Sequence, residues 1–251
     1  MDLGPLLKSW PYDPENDARV VRGRDGRELL QVRTPVGIEQ LEMEGRPDGT
    51  RPHEQESVLE YQLQRLAKAK ADGREAEFEL DPEECAELFG EGTLYYFRYL
   101  RLFQLKHWAA TVRDTARNLR LFDFVRQYAM REEDQLHLEK WRPYLVRMNA
   151  AAAALMTLDK GAHDKAIEIV NAAVERIEAL EEMEDDTFKF EQSRSVSALR
   201  ELAAQIKQTR PVSAVERLER QLRRAIDHQE FERAAELRDR LREIRSRQPA
   251  E

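Results

Sequence analysis

Few side chains in this sequence are spaced as chemistry would require. Of its five histidines, His137 alone has acidic neighbours in a metal-like arrangement, Glu133 and Asp134. A helix would place Asp134 and His137 on one face, which corresponds to half of a carboxylate-bridged metal site. Such a site needs two Glu-x-x-His pairs and further glutamates. We therefore interpret the group as a surface cluster, and we expect no metal, no cofactor and no catalytic residue.

Cysteine content and charge exclude further classes. Cys85 is the single cysteine, so an internal disulfide or a CxxC zinc site is excluded, and a lone cysteine in an amphipathic helix is typically a small buried residue. Lys and Arg number 41 against 49 Asp and Glu, a net charge of -8, which disfavours nonspecific binding of the whole chain to nucleic acid.

No targeting or membrane segment is predicted. Residues 1–8 lack the basic and apolar regions of a signal peptide, and the most apolar stretch, residues 149–158, is shorter than a membrane helix requires. We expect a cytoplasmic location.

The N-terminal elements that would position any site are short. Residues 1–17 contain three prolines, which predicts an irregular lead-in. Residues 18–50 predict a small antiparallel β meander. The Asp-Gly pair at 25–26 suits a hairpin turn, and Leu30 and Val32 alternate with polar neighbours as in a half-buried strand. Such a meander must pack on the helices that follow.

Residues 51–209 predict a helical body. A helix is expected from about His53 to Ala71, and Asp81-Pro82 with Glu84 is a strong helix start. The segment 94–130 is dense in large apolar residues, which predicts a central helix pair. Pro143 should kink a helix or begin one, and Gly161 should separate two helices. The fold class is mainly α: a helical bundle or hairpin array, with the β meander and a C-terminal helical hairpin.

The C-terminal residues 212–248 predict two short antiparallel helices joined near 227–230. Apolar residues recur at spacings of three and four in both helices. The first seam comprises Val215, Leu218, Leu222 and Ala225, and the second comprises Ala234, Leu237, Leu241 and Ile244. Two helices of this length bury too little apolar surface to be stable alone. We therefore expect the seams to be completed by the preceding helices, a second copy of the chain or another protein.

The segment 230–241, Glu-Phe-Glu-Arg-Ala-Ala-Glu-Leu-Arg-Asp-Arg-Leu, resembles the UVR (UvrB/UvrC) motif of the bacterial excision nuclease and of some proteins tied to Clp-type proteolysis. The resemblance covers about residues 213–247. It implies a hairpin that binds protein and carries no catalytic residue. The phosphate loop of the helicase subunit and the zinc-binding cysteines of the proteolysis-linked relatives are both absent from the sequence.

We predict that partner contacts come from the seams, Phe231 and Arg238: Leu218, Leu222, Ala225, Phe231, Ala234, Leu237, Arg238, Leu241 and Ile244. Phe231 could plug the closed end of its own hairpin, contact a partner, or do both. The ten arginines of the hairpin could contact phosphates, but interleaved acidic residues favour a solvated face. Near the central helices, Trp108, Asp114, Arg117 and Asn118 could form a buried polar network or line a groove.

The sequence therefore favours a non-enzymatic adaptor that pairs its hairpin with another helical element or with itself, in DNA repair or in stress and proteolysis. Two alternatives from other classes stay open. One is a DNA-repair accessory that contacts DNA directly, and the other is a metal-dependent helical-bundle enzyme.

Overall fold

The fold is mainly α, with a small antiparallel sheet near the N-terminus, as the sequence predicts. The computed structural model describes residues 4–211 and 214–247. The strands are β1 (Ala18–Arg22), β2 (Glu28–Thr34) and β3 (Gly37–Glu42). The helices are α1 (Gly4–Ser9), α2 (Val58–Ala71), α3 (Pro82–Gln104), α4 (Trp108–Tyr128), α5 (Glu132–His137), α6 (Arg142–Leu158), α7 (His163–Glu178), α8 (Asp186–Thr209), α9 (Ala214–Asp227) and α10 (Phe231–Arg247).

The sheet is an antiparallel meander with β2 in the centre. Gly26 adopts φ +83° in the first turn, a conformation that glycine reaches without steric cost, and Arg22 pairs with Glu28 beside it. Leu30 and Val32 are buried together with Leu102 of α3. One face of the sheet is therefore covered by the helical body, as a three-stranded sheet requires.

The main core lies between α3, α4, α6 and α7, and α2 and α8 add residues to it. Leu88, Leu121, Leu145, Val170 and Leu199 are each no more than 1% exposed and belong to this core. The segment predicted to form the central helix pair is α3 followed by α4, which confirms the interpretation. The turn between them contains Lys106 at φ +61°.

Helix starts and breaks follow local signals. Asp81 and Glu84 form the reciprocal capping box at the start of α3, with Pro82 in the first turn. Pro143 begins α6 rather than kinking it. Gly161 separates α6 from α7 at φ +77°. Each position has the residue type that its backbone conformation favours.

Two N-terminal predictions are corrected. The lead-in is not irregular throughout, because α1 forms over residues 4–9. Its proline, Pro5, lies in the first turn, where a missing N–H and a preset φ favour helix formation. The helix expected from His53 begins only at Val58, since His53 has φ +52° and Ser57 is the N-cap that accepts a hydrogen bond from Glu60 N.

Several charged and polar side chains are buried inside the helical body, and they are paired with one another. Arg98 donates to both carboxylate oxygens of Asp114, at 2.6 and 2.9 Å, and also to the Glu42 carbonyl at 2.8 Å. Arg117 contacts Glu91, and Asn118 donates to the Gly92 carbonyl. The Arg98 and Arg117 guanidinium groups both lie over the Tyr95 ring, 4.9 and 4.1 Å from its centroid, and this ring connects the Asp114 group to the Arg117 and Asn118 group in one buried network between the meander, α3 and α4.

Trp108 is separate from this network. Its indole N–H donates to Asp159 at 2.8 Å. It therefore links the start of α4 to the end of α6, and the grouping of Trp108 with the other three residues was wrong.

The chain divides into two compact units, Met1–Lys207 and Gln208–Glu251. The first contains the sheet and the helical body, and the second contains α9 and α10. Throughout the described ranges, every helix is too short or too polar to cross a lipid bilayer.

Candidate protein-interaction hairpin

The turn between α9 and α10 is a Schellman motif, a common helix ending. Gln229 adopts the left-handed conformation at φ +57°. Its N–H donates to the Ile226 carbonyl at 3.0 Å, and Glu230 N–H donates to the Ala225 carbonyl at 2.8 Å. This ending stops α9 and allows α10 to begin at Phe231. The two helices contact each other as a hairpin, which confirms the predicted architecture.

The hairpin interior uses the predicted seams. Ala225, Leu237 and Leu241 are buried, with exposures between 2% and 6%. Leu218, Leu222 and Ala234 are half-buried. The side chain of Ile244, the last predicted seam residue, lies outside the described residues. The seam therefore supplies the contact between α9 and α10, while its half-buried members keep part of their surface free.

Phe231 is not an internal plug. It is 71% exposed at the first position of α10, and Ile226, in the last turn of α9, is 53% exposed. Sequence analysis missed Ile226 because it lies one residue beyond the seam. The signal that could have found it is a β-branched apolar residue next to a polar turn. Two large apolar side chains thus flank one turn with most of their surface in water.

The charged residues of the hairpin are interleaved and largely exposed. Between positions 213 and 247 there are ten Arg and eight Asp or Glu, a local charge of 10 - 8 = +2, which leaves -8 - 2 = -10 for the rest of the chain. Arg233 pairs with Glu230 at 3.1 Å. Arg238, a predicted partner-binding residue, is exposed and lies 3.4 Å from Asp239.

The acidic cluster near His137 is not arranged as a metal site. Asp134 accepts two hydrogen bonds from Arg131, at 2.7 and 3.1 Å, while the His137 ring stacks on Phe89 with centroids 4.3 Å apart. Burial lowers the pKa of His137, so the ring is neutral at neutral pH. Among the described residues, no group of three or more His, Cys, Asp or Glu side chains is placed to hold a metal ion.

Comparison with protein families finds one match: residues 213–247 match the family described as the UvrB/uvrC (UVR) motif. The matched residues are those of the hairpin. UVR motifs occur in DNA-repair and related proteins, where they mediate protein interactions. No curated protein and no solved structure matches the chain.

Proposed function

We propose that this chain is a non-enzymatic adaptor whose UVR hairpin binds another helical element. The observation that carries this proposal is the exposure of Phe231 and Ile226 beside the turn of a hairpin whose described seam residues are buried or half-buried. Large aromatic side chains at exposed positions are typical of protein-binding sites. The UVR match supports a partner in DNA repair or in the regulation of proteolysis.

The partner surface is expected to combine an apolar recess with charges of both signs. Phe231 would enter the recess, and Ile226 would cover its edge. Around them, Arg233, Glu230 and Arg238 offer charged groups that set orientation more than affinity. A second helical hairpin meets these requirements because its own seam leaves half-buried apolar positions between charged residues.

The expected contribution of Phe231 follows from its exposure. Phe231 is 71% exposed as a residue. Covering the same fraction of an aromatic side chain that presents about 200 Å² removes roughly 140 Å² of apolar surface. At ~25 cal/mol per Å² this is about 3.5 kcal/mol. Ordering of side chains at the interface lowers the net gain, so we expect about 2 kcal/mol, roughly a 30-fold change in Kd.

The test is quantitative capture by the full-length chain, with the captured proteins identified by mass spectrometry from a lysate of its own cells. Phe231→Ala is compared with wild type, and Phe97→Ala is the matched control because Phe97 is an exposed phenylalanine (51%) of the helical body. We expect the amount of the principal partner that is captured to fall at least tenfold with Phe231→Ala, and to stay unchanged with Phe97→Ala. Sedimentation of the purified chain shows whether a second copy is that partner.

The adaptor proposal would be refuted by two results. One is a partner captured equally by wild type and Phe231→Ala. The other is a partner lost with Phe97→Ala but retained with Phe231→Ala, which would assign binding to the body.

A further inference from the structure

The helical body contains a cavity of about 480 Å³ that is lined by residues of α3, α4, α6 and α8. Its volume is within the range of small-molecule sites. Tyr96 and Trp141 both line it and keep about two-fifths of their surface exposed, so solutes can reach its walls. The walls are rich in aromatic rings, which are Phe89, Tyr96, Tyr99, Phe122, His137, Trp141 and Tyr144.

These rings are held at several angles to one another. Tyr96 meets Tyr99 edge-to-face with centroids 5.6 Å apart, and it meets Tyr144 in the same manner at 6.2 Å. Walls of this kind accommodate flat aromatic molecules, which stack on one ring and contact the edges of others. The shape of the cavity therefore favours a planar ligand.

Several polar side chains of the lining are already paired within the protein. The Thr93 hydroxyl donates to a carbonyl one turn earlier on α3 at 2.9 Å, and the Asn118 amide donates to another α3 carbonyl at 2.9 Å. Glu191 lies between Arg194 and Arg147, at 3.4 and 3.7 Å. These groups have partners on the protein, so they do not define what the cavity would bind.

The tyrosine hydroxyl groups of the lining are different. Tyr96, Tyr99 and Tyr144 make no hydroxyl hydrogen bond to any residue that the structure describes. Tyr99 is only 3% exposed, yet its hydroxyl oxygen keeps accessible surface, and the residue lines the cavity. A buried donor without an acceptor is costly, and most native proteins satisfy such groups. The Tyr99 hydroxyl is therefore a polar group that a ligand in the cavity can reach and satisfy.

Two of these hydroxyl groups keep their protons at physiological pH. Burial raises the pKa of Tyr144 to about 12. Burial also raises the pKa of Tyr99, and the nearby hydroxyls of Tyr144 and Tyr96 raise it further. Tyr99 and Tyr144 are thus O–H donors, and the atom that both require from a ligand is an acceptor oxygen.

The charges beside the cavity favour a neutral acceptor over an anionic one. An anion placed between the rings would lose much of its hydration, and it would lie in the same cavity as the Glu191 carboxylate. A cation gains little, because two guanidinium groups already flank that carboxylate. A neutral carbonyl oxygen accepts the tyrosine hydrogen bond without either cost.

We propose that this cavity binds a small planar aromatic molecule, neutral and carrying a carbonyl oxygen that accepts a hydrogen bond from the Tyr99 hydroxyl. Aryl ketones, aryl aldehydes and quinones belong to this class. The site is formed by the helical body and does not depend on the hairpin. Binding of a protein through Phe231 and binding of an aromatic carbonyl compound beside Tyr99 therefore fail or succeed separately.

The test compares 4-fluoroacetophenone with 4-fluoro-α-methylstyrene, which has the same shape but a CH₂ group in place of the carbonyl oxygen. Binding to the full-length chain is measured by fluorine NMR titration. The readout is the change caused by Tyr99→Phe, because the two probes differ in hydrophobicity. We expect Tyr99→Phe to weaken the ketone about fivefold, the usual effect of one neutral hydrogen bond, and to leave the styrene unchanged.

Tyr99→Phe removes no hydrogen bond made within the described part of the chain, so the fold should be retained. Tyr61→Phe is the matched control, because Tyr61 stacks on His53 and does not line the cavity. It should bind both probes as wild type does. A third probe, 4-fluorobenzoate, has an anionic acceptor, and we expect it to bind at least about tenfold more weakly than the ketone.

A pair of glycine variants tests whether the probes occupy this cavity. A Cβ at Gly92, which lines the cavity, would contact only Leu121 side-chain carbons at 3.9 Å, so Gly92→Leu can fill the space. A Cβ at Gly90 on the same helix meets no atom within 4 Å, so Gly90→Leu is the control. We expect about tenfold weaker binding of both neutral probes with Gly92→Leu alone.

Four results would overturn the proposal. Wild type binds neither neutral probe up to the solubility limit, Tyr99→Phe changes the affinity of both probes equally or of neither, the benzoate binds more tightly than the ketone, or Gly92→Leu binds as wild type does. Phe231→Ala should bind the ketone normally, which separates this site from the hairpin.

Discussion

Glu91 is the residue on which the stability of the helical body depends most clearly. It lies on α3, is 1% exposed, and accepts hydrogen bonds from Val58 N at 2.7 Å and Leu59 N at 3.1 Å. These are first-turn amides of α2, which favour a negative charge. Arg117 of α4 also contacts the carboxylate, and Arg46 Nη1 lies 3.3 Å away. One side chain thus joins three helices.

Replacing Glu91 with alanine removes all of these contacts at once. Two charge-assisted hydrogen bonds to α2 are lost, and Arg117, whose side chain is 10% exposed, becomes a buried charge without its partner. Breaking a buried pair in this way costs about 3–5 kcal/mol. We expect Glu91→Ala to lower the free energy of unfolding by about 4 kcal/mol, and Glu91→Gln, which keeps one acceptor oxygen, to lower it by roughly 3 kcal/mol.

The assay is urea unfolding of the full chain, followed by tryptophan fluorescence. Glu87→Ala is the matched control, because Glu87 lies one turn earlier on α3 with its side chain 53% exposed, and it should cost less than about 1 kcal/mol. The double variant Glu91→Ala/Arg117→Met removes both charges, so its loss should be smaller than the sum of the single losses. A loss below about 1 kcal/mol for Glu91→Ala would refute this account of the body.

Two further predictions concern single positions. Burial, aided by the charge of Asp134, raises the pKa of the Cys85 thiol from 9.0 to about 12. Above pH 9 the thiol ionises in the unfolded chain before it ionises in the folded chain. The protonated Cys85 thiol therefore contributes fully to the free energy of unfolding below pH 9, and this contribution is lost as the pH rises toward 12. At pH 9, a thiol reagent should label Cys85 slowly in the native chain and rapidly in urea, and fast native labelling would contradict this burial. In the hairpin, Gln229→Gly should relieve the left-handed conformation at φ +57° and stabilise α9–α10 by up to about 1 kcal/mol. Circular dichroism during thermal unfolding would detect the change, and a destabilised hairpin would contradict the Schellman assignment.

The structural features that depend on residues close together in the sequence were predicted. The capping box at Asp81, the start of α6 at Pro143 and the turn at Gly26 each depend on residues within four positions of one another. The UVR hairpin was predicted for the same reason, since its seams and its turn are local in sequence.

Contacts between distant residues were not predicted. Glu91 looks like an ordinary solvated residue in an amphipathic helix, and its partners on α2 are 32 and 33 residues away. The cavity beside Glu191 needs α3, α4, α6 and α8 to be placed together, which no local pattern specifies. The sequence left the position of Phe231 open between its own hairpin and a partner, because the direction of its side chain depends on how α10 leaves the turn.

The surface of the hairpin favours a helical protein over a nucleic acid. Arg233 and Arg238 lie beside Glu230 and Asp239, so a phosphate group approaching these arginines also meets carboxylates, which weakens the electrostatic attraction on which such binding depends. A phosphate backbone would not bury the exposed Phe231 ring. An apolar recess between charged residues would bury the ring and would also pair with the arginines. Because the rest of the chain carries -10 against +2 for the hairpin, the body repels polyanions as well. Binding to duplex DNA whose affinity stays unchanged when the salt concentration is raised would overturn this argument, since binding that depends on phosphate attraction weakens steeply with salt.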